Sequence, residues 1–588
     1  MHPIARSRSS YMYESQSSPQ YTHLDTSSLA NGLDSSRPKY APAMTHSHNP
    51  RADIHNGIVT QWTPSHANIS PASGSQSLSP SNGHALPLCQ PVQTPVTPPI
   101  TEDDERLWRD QELNRKIMHA VESNGITRPK GHTVSFHYNS GVEDMHFGKT
   151  HPMKPWRLTL TKHLVLGYGL QYAMDTYVAM PASKDQVRAF HDPDYVDFLK
   201  EVSPQTFETL CENPRYQRFI PPKHEGDTVD LGPFNLSTSP GADCPVFDGM
   251  SEYLFLYTGA TLAATNQLLT GQSDIAINWS GGLHHAHKSE ASGFCYINDI
   301  VLAILDLLHL YPRVLYIDID VHHGDGVEEA FQRQPRVMTL SYHRYGPYDE
   351  TGHKFFPGTG DLADTGLKRT IGEHFALNVP IPSGIDDRQY KYLFESITAR
   401  AIDAYKPKAI VLQCGADSLG GDRLGQFNIN IKQHGECVSF VKKQGLPLLI
   451  LGGGGYTARN VARAWCHETA LATDNGSNLP DRIPLDLVPR PQAFTGRAHG
   501  DGMLFPKFQR DHKNDCVEAD LEYMVKRLEW ELRYVRAAPW VVMDRLPSAG
   551  VMARVMGEVD EDLKKGRGER EKRRREGERN VGGRGELR

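Results

Sequence analysis

The stretch LYIDIDVHHGDG, residues 315 to 326, constrains this chain more than any other. It opens as an apolar strand and then crowds aspartates and histidines together. Strand side chains alternate between faces, so Ile317, Ile319 and Val321 point one way while Asp318, Asp320 and His322 point the other. A carboxylate buried without partners is costly enough to be neutralised or to unfold its site. A row of them at a strand end therefore requires a compensating cation or a set of hydrogen-bond donors.

Three further segments, DIAINWS, KAIVLQCGAD and LPLLILGGGGY, are short, β-rich and almost wholly apolar, as strands covered on both faces would be. Helical stretches such as NDIVLAILDLLHL and TARNVARAWCHETALA lie between or after them. This alternation predicts an α/β domain, a parallel sheet flanked by helices, over residues 133 to 546. In such sheets ligand sites form beyond the carboxyl ends of the strands, where loops converge. Four strand ends would deliver His284, His285, Asp318, Asp320, His322, Asp325, Asp417 and Tyr456 to one cleft. An HH pair or a glycine run alone is a weak signal; the DxDxHHxD pattern is far more specific.

The flanks read differently. Residues 1 to 100 are rich in Ser, Pro, His, Asn and Gln, and predict a disordered segment. Its Ser-Pro and Thr-Pro pairs at Ser18, Ser79, Thr94 and Thr97 are ordinary for such a tract. Residues 101 to 132 read as a linker carrying a helix over 102 to 123, and EADLEYMVKRLEWELRYVR, 518 to 536, as an amphipathic helix. Residues 547 to 588 form a charged, disordered tail in which Lys572 to Arg575 could serve nuclear import, although a solvated tail is the commoner meaning of such a run. A net charge of -7 argues against direct sequence-specific DNA binding. Eight scattered cysteines without a CxxC pair argue against a disulfide framework, and no apolar run suits a secretory leader or a membrane span.

Three protein ligands with one open position is the catalytic arrangement for zinc. Asp320, His322 and Asp417 are the candidate ligands. This oxygen-rich set also suits Fe(II), Mn or Co, so zinc is the first choice and Fe2+ stays open. A metal in that setting acidifies bound water and polarises a carbonyl. Amide hydrolysis then needs a base, a proton for the leaving amine and an oxyanion donor. His285 and His284 are the base and acid candidates, with Asp325 and Asp318 to orient them, and Tyr456 is the donor candidate.

The segments HPMKPWRLTLTKHLVLGYGL, ADCPVFDGM, GGLHHAHKSEASGFCYINDIVLAIL, VLYIDIDVHHGDGVEEAF, FFPGTGDL, LQCGADSLGGDRLGQFNI and LILGGGGYTARNVARAWCHETA closely resemble class I histone deacetylases, over residues 133 to 546. The resemblance implies an arginase-like α/β fold and hydrolysis of N-acetyl-lysine in acetylated histone tails. It implies corepressor complexes as partners, transcriptional repression, and a nuclear location with the cytoplasm as a second one. It assigns the metal to Asp320, His322 and Asp417, the pairs His284 with Asp318 and His285 with Asp325, and oxyanion stabilisation to Tyr456. It adds a narrow apolar tunnel walled by Gly293, Phe294 and Leu424, Asp243 at the rim, and Arg157 on an acetate exit. A structural K+ is implied beside Asp318 and the Ser341 hydroxyl, and an inositol phosphate at His146, Lys154, Arg423 and Arg459. Two departures stand out: Thr150 replaces a usual glycine, and Tyr342 stands where the tunnel is expected to carry phenylalanine, followed by the extra residues PYDETGHK.

Two rival readings share these features. An arginase-type ureohydrolase with two manganese ions would need bridging carboxylates that GGLHHAHK lacks. A corepressor scaffold with a decayed centre would not need all three ligands, both His-Asp pairs and Tyr456.

Overall fold

The apolar segments form strands because each carries aliphatic side chains on both of its faces. The strands are β1 (Val134–Tyr138), β2 (Asp175–Val178), β3 (Ile275–Asn278), β4 (Val314–Asp318), β5 (Val337–Arg344), β6 (Ala376–Ile381), β7 (Ala409–Gln413) and β8 (Leu448–Leu451). They make one sheet in the order β2-β1-β3-β8-β7-β4-β5-β6. Every neighbouring pair is parallel. The computed structural model describes residues 102–223, 229–346, 354–488, 490–508 and 512–535. The segments expected to be disordered, 1 to 100 and 547 to 588, lie outside the described residues, as does the basic patch Lys572 to Arg575.

The four strands legible in the sequence are β3, β8, β7 and β4, which are consecutive in the middle of the sheet. Their residues divide by alternation between two cores. Leu315, Ile317, Ile410, Leu412, Leu448 and Ile450 pack on one face with Leu164, Phe394, Val438 and Trp465 from flanking helices. Val314, Tyr316, Val411, Leu449 and Leu451 pack on the other with Leu268, Ile300, Ile304 and Leu307. Two buried apolar faces are what a parallel sheet covered by crossover helices demands. The helix Glu102–Ser123 docks through the buried Ile117 and Ala120, and Asn124 Nδ2 donates to the Tyr168 carbonyl. The helix expected over 518 to 536 runs Glu518–Leu532. None of the seven described cysteines is in a disulfide. Among the described residues no helix is long and apolar enough to cross a membrane.

One buried carboxylate ties the fold to the loop after β3. Asp299, at the start of the helix Asp299–Leu307, accepts from Thr261 Oγ1 (2.6 Å), Gly282 N (3.0 Å) and Leu283 N (3.0 Å). It thereby fixes the turn that leads into His284 and His285. Replacing Asp299 by Ala leaves three buried donors without acceptors, which should cost roughly 3 kcal/mol or more. Urea unfolding of Asp299→Ala checks this, and a loss below about 1 kcal/mol would contradict the bonding described.

Candidate active site

All eight strand-end residues singled out by the sequence approach one another at the carboxyl edge of the sheet. Ligand atoms of Asp320, His322 and Asp417 lie within 4.8 Å of one another, and all three residues are buried. His322 Nδ1 stands 3.1 Å from Asp320 Oδ1 and 3.2 Å from Asp417 Oδ2. Among the described residues this is the one such group of three or more metal-ligating side chains.

The electrostatics of that group call for a cation. Burial works against a charged His322, yet its two carboxylate neighbours outweigh burial and lift it to about 10. Burial, then the Asp320 charge, pushes Asp417 up to about 7. Asp417 Oδ2 is buried, with His322 Nδ1 beside it at 3.2 Å but no well-aligned hydrogen bond. A pocket that holds protons so strongly has positive charge to gain, and its O, N, O donor set fits a divalent ion.

The two histidines of the loop after β3 differ in their surroundings. His284 Nδ1 is 2.7 Å from Asp318 Oδ2, and His285 Nδ1 is 2.7 Å from Asp325 Oδ1. For His284, burial opposes the charged form, but Asp318 and Asp320 overcome it and raise the group to about 9. For His285, burial and then the neighbouring His284 dominate, and the group falls to about 4 despite Asp325. Tyr456 is held well above its ordinary value by burial and by Asp417 and Asp320, so its hydroxyl keeps its proton.

Above these groups lies an aromatic wall. Phe294, at a φ of 66°, meets Tyr456 edge-on at 5.7 Å and His151 at 4.5 Å. Gly293, at a φ of +54°, passes so close to the His285 ring that an added Cβ would sit 2.4 Å from its Cδ2. The Asp243 carboxylate is exposed beside it and accepts from Gly293 N at 2.7 Å. Leu424 is half-buried against the same cluster. Arg157 is buried and donates to the carbonyls of Gly455 and Gly453, both at 2.6 Å, so it braces the glycine loop that carries Tyr456. Asp318 and Ser341, the residues expected beside K+, are register partners across β4 and β5, and Ser341 Oγ is 2.9 Å from His343 Nδ1.

Tyr342 is corrected by the structure. It is fully buried, its ring lies 5.1 Å from Phe394, and its hydroxyl is 2.8 Å from Thr398 Oγ1. Alternation along β5 sends Ser341 and His343 toward the site and Tyr342 to the opposite face, into the core. The wall residue is Phe356, which the sequence reading passed over. Its ring meets His285 at 4.9 Å and His322 at 6.1 Å, while Phe355 stacks on His322 at 5.2 Å. Of the extra residues PYDETGHK, 347 to 353 lie outside the described residues.

The basic residues His146, Lys154, Arg423 and Arg459 differ in their local bonds and neighbours. Lys154 Nζ donates to the Gly148 and Lys149 carbonyls, and burial followed by the nearby Arg423 lowers its pKa. His146 Nδ1 accepts from Gly148 N. Arg459 instead neighbours Arg463 and lines a cavity whose walls include neither Lys154 nor Arg423.

Supporting residues escaped the sequence because they carry no motif. Gln413 Nε2 donates to Asp320 Oδ2 (2.9 Å) while its Oε1 accepts from Gly415 N (2.7 Å). His434, paired with the buried Glu468, has Nε2 3.0 Å from the Gly415 carbonyl. Tyr316 donates to Asp318 Oδ2 at 2.6 Å. Partners of this kind orient ligands, and losing one typically weakens metal affinity about 10–100-fold. Gln413→Ala should do so in a Co2+ titration followed by calorimetry; unchanged affinity would count against the role given to Gln413.

Residues 151–472 match the family model described as "Histone deacetylase domain". The chain is 43% identical over 438 residues to probable histone deacetylase 1-B of Xenopus laevis, spanning 73% of this chain and 81% of that protein. It is also 43% identical over 427 residues to histone deacetylase 1 of Homo sapiens and to that of Pongo abelii, spanning 71% of this chain and 79% of each relative. With a domain match over more than half its length and relatives this similar, the chain belongs to the histone deacetylase family, within class I.

Proposed function

We propose that the chain is a metal-dependent deacetylase that hydrolyses N-acetyl-lysine in histone tails and acts in chromatin-based transcriptional regulation. The observation that carries this reading is the buried Asp320, His322 and Asp417 group beside two histidines that Asp318 and Asp325 orient. Zinc is the first choice of ion, with Fe2+ the alternative, because the donor set is two oxygens and one nitrogen. When bound, such an ion supplies Lewis acidity toward the acetyl carbonyl and acidifies water at neutral pH.

The protein's own residues do the rest. The acetyl-lysine stem passes between Phe294 and Phe356 beside Leu424, and the rim carboxylate of Asp243 receives substrate backbone N–H groups. His285 Nδ1 is committed to Asp325, so in its neutral form Nε2 carries the free lone pair and takes the proton of the attacking water. His284 is the opposite case. Charged between Asp318 and Asp320, it keeps an Nε2–H with which to protonate the departing lysine amine. The Tyr456 hydroxyl donates to the oxygen on which negative charge develops. Arg157, beneath the glycine loop, is the residue assigned to acetate release.

K+ beside Asp318 and Ser341, an inositol phosphate at His146, Lys154, Arg423 and Arg459, corepressor subunits as partners, and a nuclear location belong to the same proposal, supported by family membership. The domain limits 133 to 546 do as well. One group of ligating residues among the described residues favours this reading over a two-metal ureohydrolase.

His285→Ala should lower deacetylation of an acetyl-lysine peptide by about 100-fold or more, with metal content retained. Undiminished turnover removes His285 as the base. A base works only when unprotonated, that is, above its pKa. Because His285 is lowered from 6.5 to about 4, the acid limb of the kcat/KM profile should fall below pH 6.5. A limb at or above that value would contradict the assignment.

A further inference from the structure

The helix Glu518–Leu532 is the last element described, and it carries two stripes of large side chains. Leu521, Val525, Leu528 and Leu532 are buried where it packs on the helix Asp387–Tyr405. Tyr523, Arg527, Trp530 and Tyr534 repeat the same spacing on the opposite side. The three aromatic residues are 60%, 44% and 46% exposed. Their rings are nevertheless packed on neighbours: Tyr534 meets Trp530 edge-on at 4.8 Å and stacks on His374 at 4.9 Å, and the Arg527 guanidinium lies over Trp530 at 4.9 Å. Apolar residues exposed singly need no explanation, but a continuous row of large rings marks a contact surface.

The chain that follows supplies a matching segment. The described residues end at Val535, directly after Tyr534. In VMARVMGEVDEDL, 551 to 563, a helical repeat places Val551, Met552, Val555, Met556, Val559 and Leu563 on one side, with Glu558 and Asp562 along one margin of that side. Beyond Leu563 the only aliphatic residues are Val581 and Leu587. So short a segment, with Gly557 inside it, does not hold a helix alone in water, and its apolar side needs a surface. The margin of the aromatic stripe carries Lys526 and Arg533, both exposed, which Glu558 and Asp562 complement in charge. Reach is sufficient, since the 15 residues from 536 to 550 can span about 50 Å, while the 15-residue helix is about 22 Å long. Pro539 and Pro547 in that connection keep one helix from running into the other.

We propose that the stripe Tyr523, Trp530 and Tyr534 is the docking surface for residues 551 to 563 of the same chain, which lie on it as an amphipathic helix with Glu558 and Asp562 toward Lys526 and Arg533. Valine and methionine side chains suit a row of rings, methionine because its flexible thioether packs well against aromatic edges. The surface lies on the side of the helix turned away from the core, and the proposal requires nothing of the catalytic reading.

The test is hydrogen–deuterium exchange of the full chain read by mass spectrometry, with sedimentation to give the molecular mass. Amides of 551 to 563 should exchange at least about tenfold more slowly than those of 566 to 588, at every protein concentration and at the mass of a monomer. Added salt should speed their exchange, because the charged margins are exposed. Tyr523→Gln with Trp530→Gln changes exposed residues only and should return the segment to the rate of the rest of the tail, while the helix Glu518–Leu532 stays protected. Val555→Gln with Val559→Gln should do the same from the other side of the contact. Equal exchange across 551 to 588, or protection that survives either pair of substitutions, would overturn the proposal. Protection that appears only at the mass of a dimer would overturn it too, and would assign the stripe to a second copy of the chain.

Discussion

The structure depends on the confrontation of two buried carboxylates, Asp320 and Asp417, across the imidazole of His322. Water would normally solvate such charges; here protein groups have replaced it. Asp320 Oδ2 takes hydrogen bonds from Gln413 and from Gly454 N, and Asp417 Oδ1 takes one from Val321 N. Close approach of the loops is part of the cost. A side chain at Gly454 would place its Cβ 1.9 Å from Asp417 Oδ2, so glycine alone admits this loop beside the acid. The remaining imbalance, expressed in the raised His322 and Asp417, is what a divalent cation would correct.

The same environment separates two histidines that are adjacent in sequence and have the same kind of partner. Each offers Nδ1 to a carboxylate at 2.7 Å. His284 also has Asp320 within 3.8 Å of Nε2, whereas His285 faces the apolar ring of Phe356 and the charge of His284. One imidazole is thereby favoured in its charged form and the other in its neutral form. A cation at the neighbouring carboxylates would push both groups downward.

Much of this was legible in the sequence, and the boundary of legibility has a physical meaning. The strands β3, β4, β7 and β8 were visible because both of their faces are buried, so every residue reports burial. β2 at the sheet edge alternates half-buried and exposed residues over only four positions, and β6 contains Asn378 and Pro380, so neither declares itself. Ligands and His-Asp pairs were visible because costly groups cluster after apolar runs. Gln413, His434 with Glu468, and Phe356 were not, because ordinary polar and aromatic residues acquire their roles only through contacts made across the fold. Tyr342 was misread by treating position along the chain as position in the tunnel, when its place in the pleat decides the face it occupies.

The central claim, that one cation held by Asp320, His322 and Asp417 enables amide hydrolysis, is tested most directly by acetate release. Protein stripped by a chelator would be titrated with Zn2+ and assayed on an acetylated histone peptide at each addition. The account predicts no turnover in the stripped protein and recovery that is complete at one equivalent per chain. Full activity without metal, or recovery that requires a second equivalent, would contradict it.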